Sequence, residues 1–334
     1  MRVQRLSRRR FLERAARTAA AVAGAGAAWT VAASERPAPP LVVTRRPAAP
    51  APVGPAPAPS PLPVLAVVRR SDPGTGDAGG ALLATLAIDL LGGIGRFVSP
   101  GDRIVVKPNI GWNRAPGQAA TTDPAVVAAV VSLCRDAGAR EVLVTDTTCN
   151  APRACFGRSG IRDAALAAGG VVRIPGGKDF TRVEIGGRAV ERWAVLRAVL
   201  DADRLITIPV AKQHGLARYT GAMKNLYGIA GGSRGRLHQK LDQSIVDLVT
   251  WARPALSIVD GIRVLLRNGP SGGSLEDVAR RDTVIASTDP VAADALGCTL
   301  VGLDPGDVPH IMLAADQGLG VLDPREESRV ERIV

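Results

Sequence analysis

Aromatic residues are scarce: Phe, Trp and Tyr together make up 3% of the 334 residues, although 46% are hydrophobic. The core must therefore be aliphatic, of the kind buried between α/β layers. The same scarcity argues against a nucleic-acid surface, which needs stacking platforms beside clustered Lys and Arg. No repeat of 20 to 50 residues is visible, which excludes a solenoid. Long apolar runs are missing too. The Ala- and Gly-rich stretch 19–31 has 13 residues, too few to cross about 30 Å of hydrocarbon as a helix. No stable transmembrane anchor is expected.

That short stretch has another use. Ser7-Arg8-Arg9-Arg10-Phe11-Leu12 matches the twin-arginine (Tat) export pattern, residues 19–31 form a weakly hydrophobic segment behind it, and Val31-Ala32-Ala33 offers a small-residue cleavage site. Residues 1–33 are thus expected to be a signal peptide, the Tat machinery a partner, and the mature chain periplasmic or extracellular. This route carries proteins already folded, commonly with a cofactor loaded. Residues 1–33 carry seven Arg and one Glu, a net +6 of the formal +11, which leaves a mildly basic +5. Residues 34–63 follow as a spacer: eleven of the 25 prolines lie there, interleaved with Ala, a composition that stays extended and cannot pack.

Cysteine adds little. Cys134, Cys149, Cys155 and Cys298 show no C-x-x-C spacing, which argues against a self-contained zinc or iron–sulfur cluster. Cys134 and Cys298 fall in predicted helices, where a thiol behaves as a small hydrophobe. Cys149 and Cys155 follow Asp146 in a predicted loop, and either remain free or pair as a disulfide after export.

From residue 64 onward, strand-like and helix-like segments alternate. Strands are predicted at 64–69, 103–106, 141–145, 171–174, 204–210, 255–259 and 283–287, with a hairpin around 183–190. Helices are predicted at 80–91, 124–137, 159–168, 239–252, 290–300 and 309–317. The class is α/β: a largely parallel sheet with helices on both faces, built either as one unit or as two lobes with a crevice between them. A Gly-rich turn at 72–79 lacks the spacing of a phosphate loop.

Several strands end in polar residues, and open parallel sheets bind ligands at their carboxyl ends. The second delivers Lys107 and Asn109 after Pro108, the third Asp146, and another Asp260. Asp123, before Pro124, reads as a helix N-cap. The strand at 204–210 leads into the most unusual stretch, 212–238, read as a Gly-rich loop. Lys212, His214, Lys224 and His238 lie there with glycines at 215, 221, 228, 231, 232 and 235. Lysines with few acids around them attract a small carboxylate or phosphate.

Lys107-Pro108-Asn109, Thr122-Asp123-Pro124, His214, the run from Thr220 through Gly228, His238, Asp260-Gly261, Gly269-Pro270-Ser271 and the run from Ala286 through Asp294 resemble, in order, the domain-of-unknown-function family 362. The resemblance covers residues 64 to the C-terminus. More distantly, His214, Thr220-Gly221, Lys224 and His238 are similar to a segment of the nickel-pincer lactate racemase family. That likeness implies His214 as an acid/base, Lys224 as the tether of a metal cofactor and His238 as a nickel ligand. It uses two histidine bases; here Asp146 or Cys149 occupies the region of the second, and His310 lies in the predicted C-terminal helix.

The expected site therefore comprises His214, Asp146 and Lys212 as catalytic groups, Lys224, Lys107, Asn109, Asn225 and Gly221 around a cofactor, and His238 for a metal, nickel or iron. Acid/base chemistry on a small anion is one function class. A non-catalytic exported protein that captures an anion or a metal complex is another, and a structural partner-binding protein a third.

Overall fold

The computed structural model describes residues 62–72 and 79–334. The expected signal peptide, almost all of the spacer and most of the 72–79 turn lie outside these residues. In chain order the described elements begin with β1 (Leu65–Arg69), α1 (Gly79–Leu90), β2 (Arg103–Pro108), α2 (Pro124–Asp136), β3 (Glu141–Val144), α3 (Pro152–Arg158), α4 (Ile161–Ala167) and β4 (Val171–Val172). Next come β5 (Phe180–Glu184), β6 (Arg192–Leu196), α5 (Arg197–Asp201), β7 (Arg204–Ile208), β8 (Val210–His214), β9 (Arg218–Thr220) and α6 (Ala222–Asn225). The chain closes with α7 (Leu241–Ala252), β10 (Leu256–Leu265), β11 (Val278–Ser287), α8 (Pro290–Thr299), α9 (Pro309–Asp316) and β12 (Arg329–Ile333).

One sheet runs in the order β12-β1-β11-β10-β7-β2-β3-β4, with β8 paired to β10 and β9. The β10-β7-β2-β3-β4 run is parallel throughout, and β11 is antiparallel to both its neighbours. Side chains alternate across this sheet, as the period of a strand requires. In β1, Leu65 and Val67 join one core, with Ile245 of α7, Val291 of α8 and Ile311 of α9. Ala66 and Val68 join the other, with Leu83 of α1, Val130 of α2 and Ile161 of α4. Helices thus cover both faces, and the α/β class with a largely parallel sheet is what the chain adopts.

Local chemistry sets the joints. Asp123 is the expected cap of α2, accepting from Ala125 N–H at 2.8 Å with Pro124 in the first turn. Elsewhere the chain departs from expectation. Residues 152–158 form a helix, so Cys155 is buried in α3, its Sγ 3.9 Å from Gly111 O, while Cys149 sits half-buried; both are free thiols. The hairpin lies at β5 and β6, a separate antiparallel pair. Asp260 does not end a strand: β10 continues to Leu265, and the buried carboxylate accepts from Asp123 N–H at 2.7 Å and Ile262 N–H at 3.0 Å. Pro108, by contrast, is the last residue of β2, paired with Ile208 where that ladder stops, as expected of a proline. Among the described residues no helix is long and apolar enough to cross a membrane.

Candidate functional site

The carboxyl ends of β2, β3 and β7 lie side by side, and the chain after β7 folds over them. This stretch is not the Gly-rich loop expected from its composition. Lys212 and His214 are on β8, which forms a hairpin with β9 (Lys212 opposite Thr220), and Lys224 and Asn225 are on the short helix α6. The Trp193 ring N–H on β6 donates to Gly231 O at 3.0 Å and pins the segment that follows.

Lys107 lies at the base, 1% exposed. Its Nζ donates to Asp146 Oδ1 at 2.7 Å, Asn225 Oδ1 at 3.0 Å and Pro108 O at 2.8 Å, so all three ammonium protons are used. Burial pushes its pKa down, against the pull of Asp146. Asp146 is equally occupied, accepting also from Ile110 N–H at 2.7 Å and Thr147 N–H at 3.0 Å. Asn225 completes the knot: its amide donates to Lys107 O at 3.1 Å and Thr207 Oγ at 2.8 Å. Lys212 donates to Ala120 O at 2.6 Å and to Asn109 Oδ1 at 3.3 Å, which leaves one proton; burial lowers its pKa to about 7.

Lys224 is different. Among the described residues its Nζ has no hydrogen-bond or ion-pair partner and sits 3.4 Å from the centroid of the Tyr227 ring. Burial, with Arg234, Lys212 and Lys107 nearby, lowers its pKa to about 7, while Cys149 pulls upward. The ring face also favours the charged amine. The Tyr227 hydroxyl donates to Leu237 O at 3.2 Å, which fixes the next residue, His238, edge-on to the same ring at 5.5 Å between centroids and 77°. Burial and then Lys224 push the His238 pKa down.

His214 is oriented by backbone. Leu216 and Ala217 N–H both donate to its Nδ1 at 3.1 Å, so Nδ1 is the unprotonated nitrogen and Nε2 carries the hydrogen. Burial, then Lys224 and Lys212, lower its pKa to about 2. The ring stays neutral and offers a donor.

Two glycines are required by close approach. A Cβ on Gly228 would strike Asp146 Oδ1 and lie 2.6 Å from Lys107 Nζ, and one on Gly221 would strike the Asp294 carboxylate. Asp294, not among the expected site residues, accepts from both Ala222 and Met223 N–H, the start of the helix that carries Lys224. It is buried, and burial raises its pKa to about 7. Its signal was its place in the Ala286–Asp294 motif.

The expected residues therefore gather in one place. Lys107, Asp146 and Asn225 interlock, Lys212 holds Asn109, Gly221 leads into the helix that carries Lys224 beside Asn225, and His214 and His238 are near enough to Lys224 to feel its charge. Among the described residues, however, no group of three or more His, Cys, Asp or Glu is placed to hold a metal ion. A bare metal held by side chains alone does not fit. A Lys-tethered metal group bringing its own donors needs only one amine and one imidazole, and unpartnered Lys224 beside His238 fits that.

The model of the family described as "Domain of unknown function (DUF362)" matches residues 104–299. The chain belongs to this family. The DUF362 segment contains every residue of the site named above. The chain is also 30% identical over 253 residues to a thylakoid-associated protein of Synechocystis sp. (strain PCC 6803), covering 72% of this chain and 76% of that one. Among solved structures it is similar to the lactate racemase apoprotein from Thermoanaerobacterium thermosaccharolyticum, with TM-score 0.41, 10% identity, and coverage of 70% of this chain and 56% of that one. A protein from Thermotoga maritima gives TM-score 0.42 and 12% identity over 70% of this chain and 60% of that one. The chain thus spans well under two thirds of both solved chains.

Proposed function

We propose that this DUF362 member is an enzyme that binds a small carboxylate or phosphate at Lys224 and the free proton of Lys212, and moves a proton with the Lys224 amine. The observation that carries the reading is the state of Lys224: buried, without a hydrogen bond or ion pair, and held at about 7 among other cations. A lysine in that condition is both an anion hook when charged and a general base when neutral. His214 then serves through Nε2–H as a donor to charge developing on the substrate, because its Nδ1 is committed to two backbone amides. Lys107 spends all three of its protons on protein acceptors, and with Asp146 and Asn225 it acts as the rigid floor.

Lys224 and His238 are the residues that would hold a tethered metal group, which would supply a Lewis-acid centre in place of the free Lys224 amine. The test is calorimetric titration with acetate and phosphate, followed by deuterium exchange from solvent into carbon-bound positions of a panel of small carboxylates. Wild type should bind and exchange, and Lys224→Met should lose both. Binding that survives Lys224→Met refutes the reading; binding without exchange in wild type supports the second class, a non-catalytic anion binder.

Export rests on the twin-arginine pattern at Ser7 to Leu12. Replacing Arg8 and Arg9 together by Lys should retain the full chain inside cells, and fractionation reads this out directly.

A further inference from the structure

Three of the four thiols are withdrawn from chemistry. Cys134, Cys155 and Cys298 are fully buried, and burial pushes Cys134 and Cys298 up to about 12 and raises Cys155 as well. Thiols in that condition stay protonated and inert. Cys149, in the loop after β3, is half-buried and so within reach of solvent. Backbone fixes its place, since its own N–H donates to Gly111 O at 2.7 Å. Its surroundings are cationic. Arg234 grips the same loop, Nη1 donating to Thr147 O at 2.9 Å and Nη2 to Thr148 O at 2.6 Å, and Nη2 also reaches Cys149 Sγ at 3.9 Å. The Asp146 carboxylate, three residues earlier, is spent on Lys107. After burial, Cys149 is the largest influence on both Lys212 and Lys224, so the thiol lies at the rim of the site described above. Lys224, 7% exposed and without a hydrogen bond or ion pair, is an unmatched cation beside a sulfur that a reagent can reach.

Reactive cysteines sit in partly exposed, electropositive settings, and such a setting also draws anionic reagents to the sulfur. We propose that Cys149 is a covalent modification site for small anionic disulfides, with the carboxylate of the incoming half seated on Lys224 and Arg234. Cys149 gives its proton to solvent and attacks one sulfur of the disulfide. A new S–S bond forms, the old one breaks, and the other half leaves as a thiolate with the electron pair; a free thiol reverses the exchange. The disulfide is the only oxidant required. The adduct fills the anion seat, so modification turns the site off. The seat rests on the function proposed above, whereas the reach of the sulfur and its cationic surroundings do not.

The test incubates the full chain with anionic dithiodipropionate, neutral hydroxyethyl disulfide or cationic cystamine, divides each rate by that of the same reagent with mercaptoethanol, and locates the added mass by peptide mapping. Wild type should take the anionic reagent at Cys149 at least about tenfold faster than the cationic one, the lower end of what a charged cleft adds to an encounter rate. The preference should shrink as salt rises. Lys224→Met and Arg234→Gln should each reduce it, and the salt series on wild type decides the matter if neither variant folds. The labelled chain should no longer bind acetate in calorimetry, and mercaptoethanol should restore binding. Equal normalised rates, labelling spread over the other cysteines, or acetate binding that survives labelling would overturn the proposal. So would loss of two hydrogens with no added mass, the mark of a bridge to Cys155. If acetate binds the unlabelled chain in any of these cases, the function proposed above stands without the modification site. If the preference holds and acetate never binds, the modification site stands and that function falls.

Discussion

Lys107 Nζ lies 2.7 Å from Asp146 Oδ1, with both side chains almost completely withdrawn from solvent. Strand β2 supplies one partner and the exit of β3 the other, so the pair ties two neighbouring parallel strands at the edge where the site is built. Removing one partner leaves a buried charge without compensation, which typically costs about 3–5 kcal/mol. Lys107→Met and Asp146→Asn should each lower the urea midpoint by that scale, and Lys107→Met combined with Asp146→Leu should recover part of it. Single variants that differ from wild type by less than about 1 kcal/mol, the range of an exposed pair, would show the tie to be dispensable.

The buried amines set a pH dependence whose sign can be worked out. Lys212 and Lys224 titrate at about 7 in the folded chain and at 10.5 in the unfolded one. Between those values the unfolded chain binds more protons, so stability rises with pH. Below that window other groups oppose one another. His214 and His310, held near 2 and 3, make stability rise toward pH 6.5. Asp260 and Asp294, held near 7 by burial, make it fall from pH 3.8 upward. The clean interval is pH 7 to 9. Denaturation across it at fixed ionic strength should show wild type gaining stability and Lys224→Met gaining less; equal slopes would mean that Lys224 is charged throughout.

Asp294 holds the helix that presents Lys224. Asp294→Asn keeps one acceptor but places an amide against two backbone N–H groups, at a cost of about 1–3 kcal/mol. A purely structural residue would lower stability alone. A positioning residue should also weaken acetate and phosphate binding at temperatures where the variant is fully folded, and Asp294→Glu should not restore it, because the longer side chain cannot sit against Gly221. Unchanged anion affinity in a folded Asp294→Asn would deny it that part.

How much of this was legible in the sequence depended on how local each signal is. The cap at Asp123-Pro124 and the apolar runs of β2, β3 and β7 are short-range features, and they fall where expected. Strands β8 and β9 were hidden because their polar side chains are satisfied from far away: Lys212 meets Ala120 O across 92 residues of chain. The same holds for Asp260, which looked like a strand's end but is accommodated inside β10 by the Asp123 amide. Strand β12, RVERI, is half polar and lies beside β1 at the sheet's edge, so its alternation is weak. His310 carried no local signal whatever; packing of α9 against α7 alone brings it behind Asp242.

Gly228 joins the composition of the central stretch to the geometry of its floor. Its φ is not in the left-handed region, so backbone freedom does not explain the residue; space does. The methyl group of an alanine at this position would overlap Asp146 Oδ1 and crowd Lys107 Nζ, and Thr147 N–H donates to Gly228 O at 3.0 Å, which prevents the segment from lifting away. Overpacking of this kind usually costs about 1–3 kcal/mol, and here it should also force the ion pair apart, so Gly228→Ala should reach or exceed the upper end. A double-mutant cycle separates the two effects. With Asp146→Ala the oxygen that clashes is gone, and Gly228→Ala should then cost at least about 1 kcal/mol less than it does in wild type, beyond the additivity expected of independent sites. Strict additivity would mean that the glycine answers to some other constraint, and the close approach of backbone to ion pair would no longer account for it.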